Sequence, residues 1–372
     1  LPMPTVVCVN GPNLDLLGRR QPEVYGSLTL SDLAARVRAW GDDLGLEIRW
    51  IQSNHEGAIV EAIHSARDSA GIVINPGALT HTSQALHDAL LAVETPAVEV
   101  HLSNVRSRER WRRRSTVAPA CVLSVFGRGA EGYRAALRHL VHRQVHPPRI
   151  GRYGPHPDQV VHMRGSGGDV GVVLVHGGFW SDAWGLDTVE GWAVDLAGEG
   201  VAVASIEYRR VGSGGGVVAT TADVARAIHR ARDWLEVPEV AVVGHSAGAH
   251  LAVWHALGAP TPQRLTVGVA GIYDLAVADE HDLGPGAVAA FDPQHRTDPM
   301  HAGRPGGHLT LVHGEDDPVV PSSQTTAYGE TLGGEAAGVD VTLLPGARHF
   351  DLLDPRRDGW KAIRASLGEV IG

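Results

Sequence analysis

Apolar and polar positions follow one recurring pattern over residues 5–140. The runs "TVVCVN", "EIRWIQ", "GIVINPG", "AVEVHLS" and "CVLSVFG" have the length and continuity of buried parallel strands. Amphipathic stretches of helical period come between and after them: "LSDLAARVRAWGDDLG", "EGAIVEAIHSARDSA", "TSQALHDALLAVE" and "AEGYRAALRHLVHRQ". This alternation predicts a doubly wound α/β domain with ligands at the C-terminal ends of its strands. The pattern stops at "VHPPRIGRYGPHPDQ", which is rich in Pro, Gly and His and lacks apolar periodicity. It restarts near residue 159 with "GVVLVHGG", "VAVASIEYRR", "VAVVGHSAG", "LTVGVAGIYD", "HLTLVHGEDD" and "VTLLPGARHF". The expected division is a first domain at 1–146, a linker at 147–158 and a second α/β domain at 159–372. The glycine run at 212–216 has strand and helix signals close on both sides, so it reads as a loop within the second domain.

Composition narrows the class. A chain of 372 residues, 43% hydrophobic and 20% charged, is long enough for two ordinary globular domains. No apolar run reaches the length of a membrane span, so no membrane partner is expected. The start "LPMPTVVCVNGPN" lacks the basic and apolar regions of a secretory signal. With only Cys8 and Cys121 there is no disulfide framework, and a cytoplasmic location is expected. The net charge of −10 argues against nucleic acid as a partner, despite the local run "RERWRRRS". No Cys–His metal spacing and no G-x-G-x-x-G fingerprint occurs, so neither metal nor cofactor is expected.

The second domain carries the elements of a serine hydrolase. Gly244-His245-Ser246-Ala247-Gly248 is a G-x-S-x-G turn that would expose Ser246 as a nucleophile. "HGGFW" follows a strand, and backbone N–H groups near Gly178 and Phe179, with that of Ala247, would form an oxyanion hole. Asp316 and Asp317 stand at a later strand end, and His349 follows in "GARHFD", in the order Ser, Asp, His. Asp317 is favoured because it precedes the P-V-V-P turn. His245 and His250 read as packing residues, and Trp180 and Trp184 as core or pocket walls.

In the first domain, polar loops follow each strand: "NGPNLDLLGRRQPEVYG", "SNHEG", "NPGALTHTSQALHDAL", "EVHLSN" and "RERWRRRS". All should converge on one sheet edge. A tyrosine near arginines can ionise to a phenolate base, and a histidine near a carboxylate, as in "EVH", can act as an acid. Base, acid and oxyanion binders without a cofactor suit a β-elimination beside a carbonyl.

Two resemblances follow from these motifs. N-G-P-N-L, R-x-P-x-x-Y-G, S-N-H-E-G, N-P-G-x-x-T-H-T-S, E-V-H-L-S-N and the arginine-rich lid closely resemble type II 3-dehydroquinate dehydratase across about residues 4–145. The resemblance implies a flavodoxin-like parallel sheet. It makes Tyr25 the base that removes the C2 proton, with Arg20 lowering its pKa and Asn13 steadying an enolate through water. His101, oriented by Glu99, would protonate the leaving hydroxyl. Asn75, His81, Leu102, Ser103 and Arg112 would bind substrate, and Asp88 would reach a neighbouring subunit's site in a dodecamer built of trimers. His87 and Arg106 depart from the family pattern and put subunit contacts in doubt. The imine-forming dehydratases need a lysine, and the one lysine of this chain, Lys361, lies in the other domain. "HGGFW", "GHSAGAHL" and "HFD" resemble the α/β-hydrolase superfamily, in particular HGG-motif esterases and kynurenine-formamidase-like members, across about 155–370. The sequence therefore implies a bifunctional enzyme, a dehydratase joined to a hydrolase of a carboxylic ester, for which a quinate- or shikimate-type ester is the candidate substrate. An arylformamidase-like amidase or a non-catalytic assembly module is the alternative for the second domain. A non-catalytic binder of shikimate-like acids is the alternative for the first.

Overall fold

The computed structural model describes residues 3–19, 27–105, 108–259, 263–334 and 338–371. The chain divides between Gln144 and Val145 into two compact units. Among the described residues, the first unit is a five-stranded parallel sheet of β1 (Thr5–Asn10), β2 (Glu47–Gln52), β3 (Gly71–Asn75), β4 (Ala97–His101) and β5 (Leu123–Phe126). Their order, β2-β1-β3-β4-β5, is the flavodoxin-like one. Strands β1, β3 and β4 are buried nearly end to end, as continuous apolar runs in a sheet covered on both faces should be. Four helices cover it: α1 (Leu30–Asp43), α2 (Glu56–His64), α3 (Gln84–Val93) and α4 (Glu131–Val145). Helix α1 starts on a capping box in which Thr29 and Asp32 satisfy each other's backbone N–H. Ser83 caps α3 by accepting from Leu86 N–H.

The second unit carries an eight-stranded sheet. It comprises β6 (Arg149–Arg152), β7 (Val160–Arg164), β8 (Val170–Val175), β9 (Val203–Ile206), β10 (Glu239–His245), β11 (Leu265–Val269), β12 (His308–Gly314) and β13 (Val339–Leu344). The order is β13-β12-β11-β10-β8-β9-β7-β6, with β6, β7 and β9 paired antiparallel and the rest parallel. Helices α5 (Glu190–Gly198), α6 (Val217–Leu235), α7 (Ala247–Gly258), α8 (Leu275–Glu280), α9 (Ala287–Phe291), α10 (Ser323–Thr331) and α11 (Asp358–Ile371) complete the α/β-hydrolase layers.

One expectation needs correction. The stretch 147–158 is not a bare linker: β6 lies within it and extends the second sheet. Strand β6 reads R-I-G-R and is largely exposed, so no apolar run announces it. Strand β7 carries no clear apolar signal either, because the polar His162 and Arg164 interrupt it.

Candidate active sites

In the first unit, the loops that leave β1 and β3 interlock. Gly11 N–H donates to Asn75 O at 2.8 Å. A Cβ on Gly11 would lie 2.5 Å from Pro76 O, so only glycine permits this approach. Asn13 takes a left-handed φ of 67° and donates its N–H to Asn54 Oδ1 at 2.9 Å. The N-G-P-N, S-N-H-E-G and N-P-G motifs thus meet at one sheet edge. Asn75 is buried, with Nδ2 donating to Tyr133 Oη at 3.1 Å and Oδ1 accepting from Gly77 N–H at 3.3 Å.

His101 ends β4, and Glu99 lies two residues earlier on the same face. Glu99 Oε1 is 2.8 Å from His101 Nε2. The carboxylate also accepts from Thr80 Oγ1, from Ser115 Oγ at 3.0 Å and from Ser124 Oγ at 3.1 Å. Burial by itself raises the pKa of Glu99, but the His101 contact, followed by the Thr80 and Ser115 hydroxyls, holds it below the usual value. Glu99 is therefore a charged anchor. With Nε2 engaged by that anchor, Nδ1 is the His101 ring nitrogen that the carboxylate leaves unengaged.

Asn13, Asn75, His81, His101, Leu102, Ser103 and Arg112 line one cleft, together with Gly77 and Arg108. Arg108 opens the R-E-R-W-R-R-R-S loop expected at this edge, but the sequence does not single it out as a cleft residue. It lies 3.5 Å from the Glu109 carboxylate, which Arg112 contacts at 2.9 Å, so one acid ties together two cleft arginines. The Arg112 guanidinium lies 4.0 Å from the Trp111 ring centroid, and Trp111 meets His81 edge-on at 5.1 Å. His81 Nδ1 is 2.7 Å from Arg114 O. Burial, with the nearby His101 and Arg112, lowers the His81 pKa against the opposing pull of that carbonyl. Asp88 is exposed on α3 and does not line this cleft, and His87 Nδ1 contacts Thr116 O at 3.0 Å. Arg20, Tyr25 and Arg106 lie outside the described residues.

In the second unit, β10 ends at His245 and the chain turns sharply at Ser246, with φ 56° and ψ −123°. Such a backbone is strained for a residue with a side chain. Its N–H donates to Val269 O at 2.8 Å, which fixes the turn against β11. Helix α7 begins at Ala247, whose N–H belongs to the first turn that has no intrahelical partner.

His349 Nδ1 lies 2.6 Å from Asp317 Oδ2, while Asp316 is exposed. Asp317 Oδ1 accepts the N–H groups of Val319 and Val320 at 2.8 and 3.0 Å, so the P-V-V-P turn folds around the carboxylate. His313, not anticipated, is buried and places Nε2 3.2 Å from Asp317 Oδ2. Burial pushes the Asp317 pKa up, but the contacts from His313 and His349 more than offset it and hold the group well below the carboxylate range. Among the described residues no hydrogen bond closes Ser246 Oγ to His349. The two are linked through His245, whose Nε2 lies 3.1 Å from His349 O. Burial, then repulsion from His349, holds His245 well below its ordinary pKa and therefore neutral. His250 is packed under the turn between Trp180 and Thr297 O, and burial pushes its pKa down to about 4.

Gly178, Phe179 and Trp180 have successive positive φ values of 109°, 51° and 54°. A Cβ on Gly178 would lie 2.2 Å from Trp184 Cβ. Trp184 stacks on Phe350 at 5.8 Å, forming an aromatic wall between Gly178 and His349. Trp180 is core, stacked on Phe291 at 4.6 Å. Among the described residues no cluster of His, Cys, Asp or Glu is arranged to hold a metal, and no helix is long and apolar enough to cross a membrane.

A family model described as Dehydroquinase class II matches residues 4–141, and one described as BD-FAE matches residues 164–269. The chain is 50% identical over 143 residues to a catabolic 3-dehydroquinase of Pyricularia oryzae, covering 38% of this chain and 91% of that protein. It is 45% identical over 143 residues to the 3-dehydroquinate dehydratase of Bacillus subtilis, covering 38% of this chain and 97% of that one. A truncated carbohydrate esterase from gut microbiota shares the fold of the second unit, with a TM-score of 0.50 at 18% identity over 59% of this chain and 94% of that chain.

Proposed function

We propose, since this chain belongs to the class II dehydroquinase family, that its first domain dehydrates 3-dehydroquinate to 3-dehydroshikimate through an enolate. The observation that carries this is the buried Glu99–His101 pair opening on a cleft that also holds Asn13, Asn75, Ser103 and Arg112. Tyr25, with its pKa lowered by Arg20, takes the C2 proton, and the electron pair moves onto the C3 carbonyl oxygen. Asn13, acting through a water, steadies that enolate. The pair then returns to form the C1–C2 double bond as the C1–O bond breaks. His101 delivers a proton to the departing hydroxyl, and water leaves. No imine is needed. Lys361 is exposed on α11 and paired with Asp358 at 2.7 Å. Tyr25→Phe should abolish dehydration without unfolding the chain, and borohydride with substrate should leave activity intact. Substrate-derived label trapped on Lys361 would overturn the enolate route.

The second domain is read as a serine hydrolase of a carboxylic ester. His349, oriented by Asp317, takes the Ser246 proton as Oγ attacks the ester carbonyl. The Ala247 N–H and those near Gly178 and Phe179 receive the oxyanion. The alcohol leaves with the proton from His349, and water then frees the acid by the reverse sequence. The Trp184–Phe350 wall favours an aromatic acyl group, and a quinate- or shikimate-type alcohol would link the two chemistries. Comparing kcat/KM for such cyclitol esters, N-formylkynurenine and p-nitrophenyl acetate, with Ser246→Ala as the blank, tests this. Cyclitol esters reacting no faster than p-nitrophenyl acetate after correction for leaving-group reactivity would remove the link, and preference for N-formylkynurenine would make the domain an amidase.

A cytoplasmic location, supported by two free cysteines, is part of this reading, and the dehydration would serve either quinate catabolism or the biosynthesis of aromatic amino acids. Asp88, exposed on α3, is assigned to a neighbouring subunit's site in a dodecamer. A monomer by light scattering at micromolar concentration would contradict that assembly.

A further inference from the structure

The second unit contains a buried polar cluster outside the Ser–Asp–His set. Arg210, with a side chain only 5% exposed, lies between two carboxylates: Nη2 is 2.9 Å from Asp158 Oδ2 and Nη1 is 2.7 Å from Glu207 Oε1. Arg210 Nη1 also donates to the backbone carbonyl of Trp184. Glu207 Oε1 is 2.8 Å from His176 Nε2, and Glu207 Oε2 accepts the N–H of Leu186 at 3.1 Å. His176 Nδ1 is 2.8 Å from Gly177 O, and its ring stacks on Tyr208 at 4.4 Å. The cluster therefore holds residues 176–186 at three places: His176 itself, the Trp184 carbonyl and the Leu186 N–H.

That loop carries the backbone N–H groups assigned to the oxyanion. Its three consecutive positive φ values at Gly178, Phe179 and Trp180 are costly for residues with side chains, so the conformation needs support from outside the loop. The support is direct. Trp184 lies so near Gly178 that a Cβ there would come within 2.2 Å of it. A displacement of Trp184 is thus transmitted to Gly178.

Asp158 enters this cluster from the Pro-, Gly- and His-rich stretch that follows the first unit, outside the residues 164–269 matched by the BD-FAE family. The same stretch contributes Tyr153, whose hydroxyl donates to Glu207 O at 2.7 Å. We infer that Asp158 is a positioning residue of the ester-hydrolysing site, acting through Arg210 and Trp184 to hold the oxyanion loop. The inference rests on the hydrolase reading of the second domain. Loss of the Asp158 charge frees the second arm of a buried guanidinium, which then reorients toward Glu207 and releases the Trp184 carbonyl.

The test uses the full-length chain, p-nitrophenyl acetate and a fluorophosphonate that labels Ser246. Asp158→Asn should lower kcat about tenfold, part of the full effect of losing an oxyanion donor, while KM stays within about twofold. Phosphonate labelling should slow in parallel, because it needs the same donors, and dehydration in the first domain should be unchanged. Asp158→Glu, which restores the carboxylate, should recover most of the rate. A kcat for Asp158→Asn within about twofold of the parent overturns the inference. Equal losses in Asp158→Asn and Asp158→Glu that track a lower melting temperature also overturn it, since they mark a purely structural role. A parent chain that neither hydrolyses the ester nor takes the label, matching Ser246→Ala, removes the hydrolase reading itself and this inference with it.

Discussion

Both units set a histidine against a buried carboxylate, but they engage opposite ring nitrogens. Glu99 contacts Nε2 of His101 at 2.8 Å, whereas Asp317 contacts Nδ1 of His349 at 2.6 Å. The anchoring of the two acids differs more deeply. Glu99 is surrounded by hydroxyls from Thr80, Ser115 and Ser124, which three separate segments bring to it. Asp317 is held by the N–H groups of Val319 and Val320 in its own turn, with His313 added from four residues upstream. The first arrangement depends on side chains and is open to single deletions. The second depends on backbone and tolerates side-chain changes as long as the turn survives.

The largest expected effect tests whether the sites are independent. Ser246→Ala should reduce ester hydrolysis by at least about 10⁴-fold and leave dehydration unchanged, and His101→Ala should do the reverse. An effect of either change on the other activity, in steady-state assays of both, would show that the sites are coupled. Gly178→Ala comes next. It forces an unfavourable φ and a clash with Trp184, so hydrolysis should fall about 100-fold, the size of one lost oxyanion donor. Retention of hydrolysis in that variant would separate the 176–186 loop from the chemistry.

A smaller pair of changes sharpens the contrast between the anchors. Ser124→Ala removes one hydrogen bond to a charged group, worth about 1.5–3 kcal/mol, so kcat/KM for dehydration should fall roughly tenfold or more. Val319→Ala leaves the N–H that Asp317 accepts, and hydrolysis should change less than about twofold. Equal losses from the two would erase the distinction between side-chain and backbone anchoring.

The smallest effect is on stability. Burial holds His250 at about 4, below the value of about 6.5 for an unfolded histidine. Between these pH values the unfolded chain binds the extra proton, so stability rises with pH there. The contribution is fully present above about pH 6.5 and is lost as pH falls toward 4. His250→Gln should make the urea midpoint of the second unit less steeply pH-dependent over that window. An unchanged slope would assign the acid sensitivity elsewhere.

The strands and helices that build both sheets were legible because each is encoded in a short run of consecutive residues. "GIVINPG" and "VAVVGHSAG" carry continuous apolar strands that end in motif residues, and β3 and β10 lie there. Strand β6 was not legible, since R-I-G-R gains its place by pairing with β7 and not by an apolar face. The contribution of Asp158 was hidden for a related reason: nothing near it in sequence signals Arg210, the group it meets. Arg108 and His313 have their acidic partners close by in sequence, at Glu109 and Asp317, but only the fold shows that those pairs belong to a site.

Sequence by itself determined the α/β class, the order of the motifs and the chemical types available at the strand ends, because periodicity and turn chemistry act over a few residues. Tertiary structure decided which side chains meet. It set three hydroxyls around Glu99, folded the P-V-V-P turn around Asp317 and brought Asp158 against Arg210 across 52 residues of sequence. The partners met in the fold then decided charge: donors supplied to Glu99 and Asp317 keep them ionised against burial, whereas burial keeps His250 neutral for want of a counter-charge strong enough to offset desolvation.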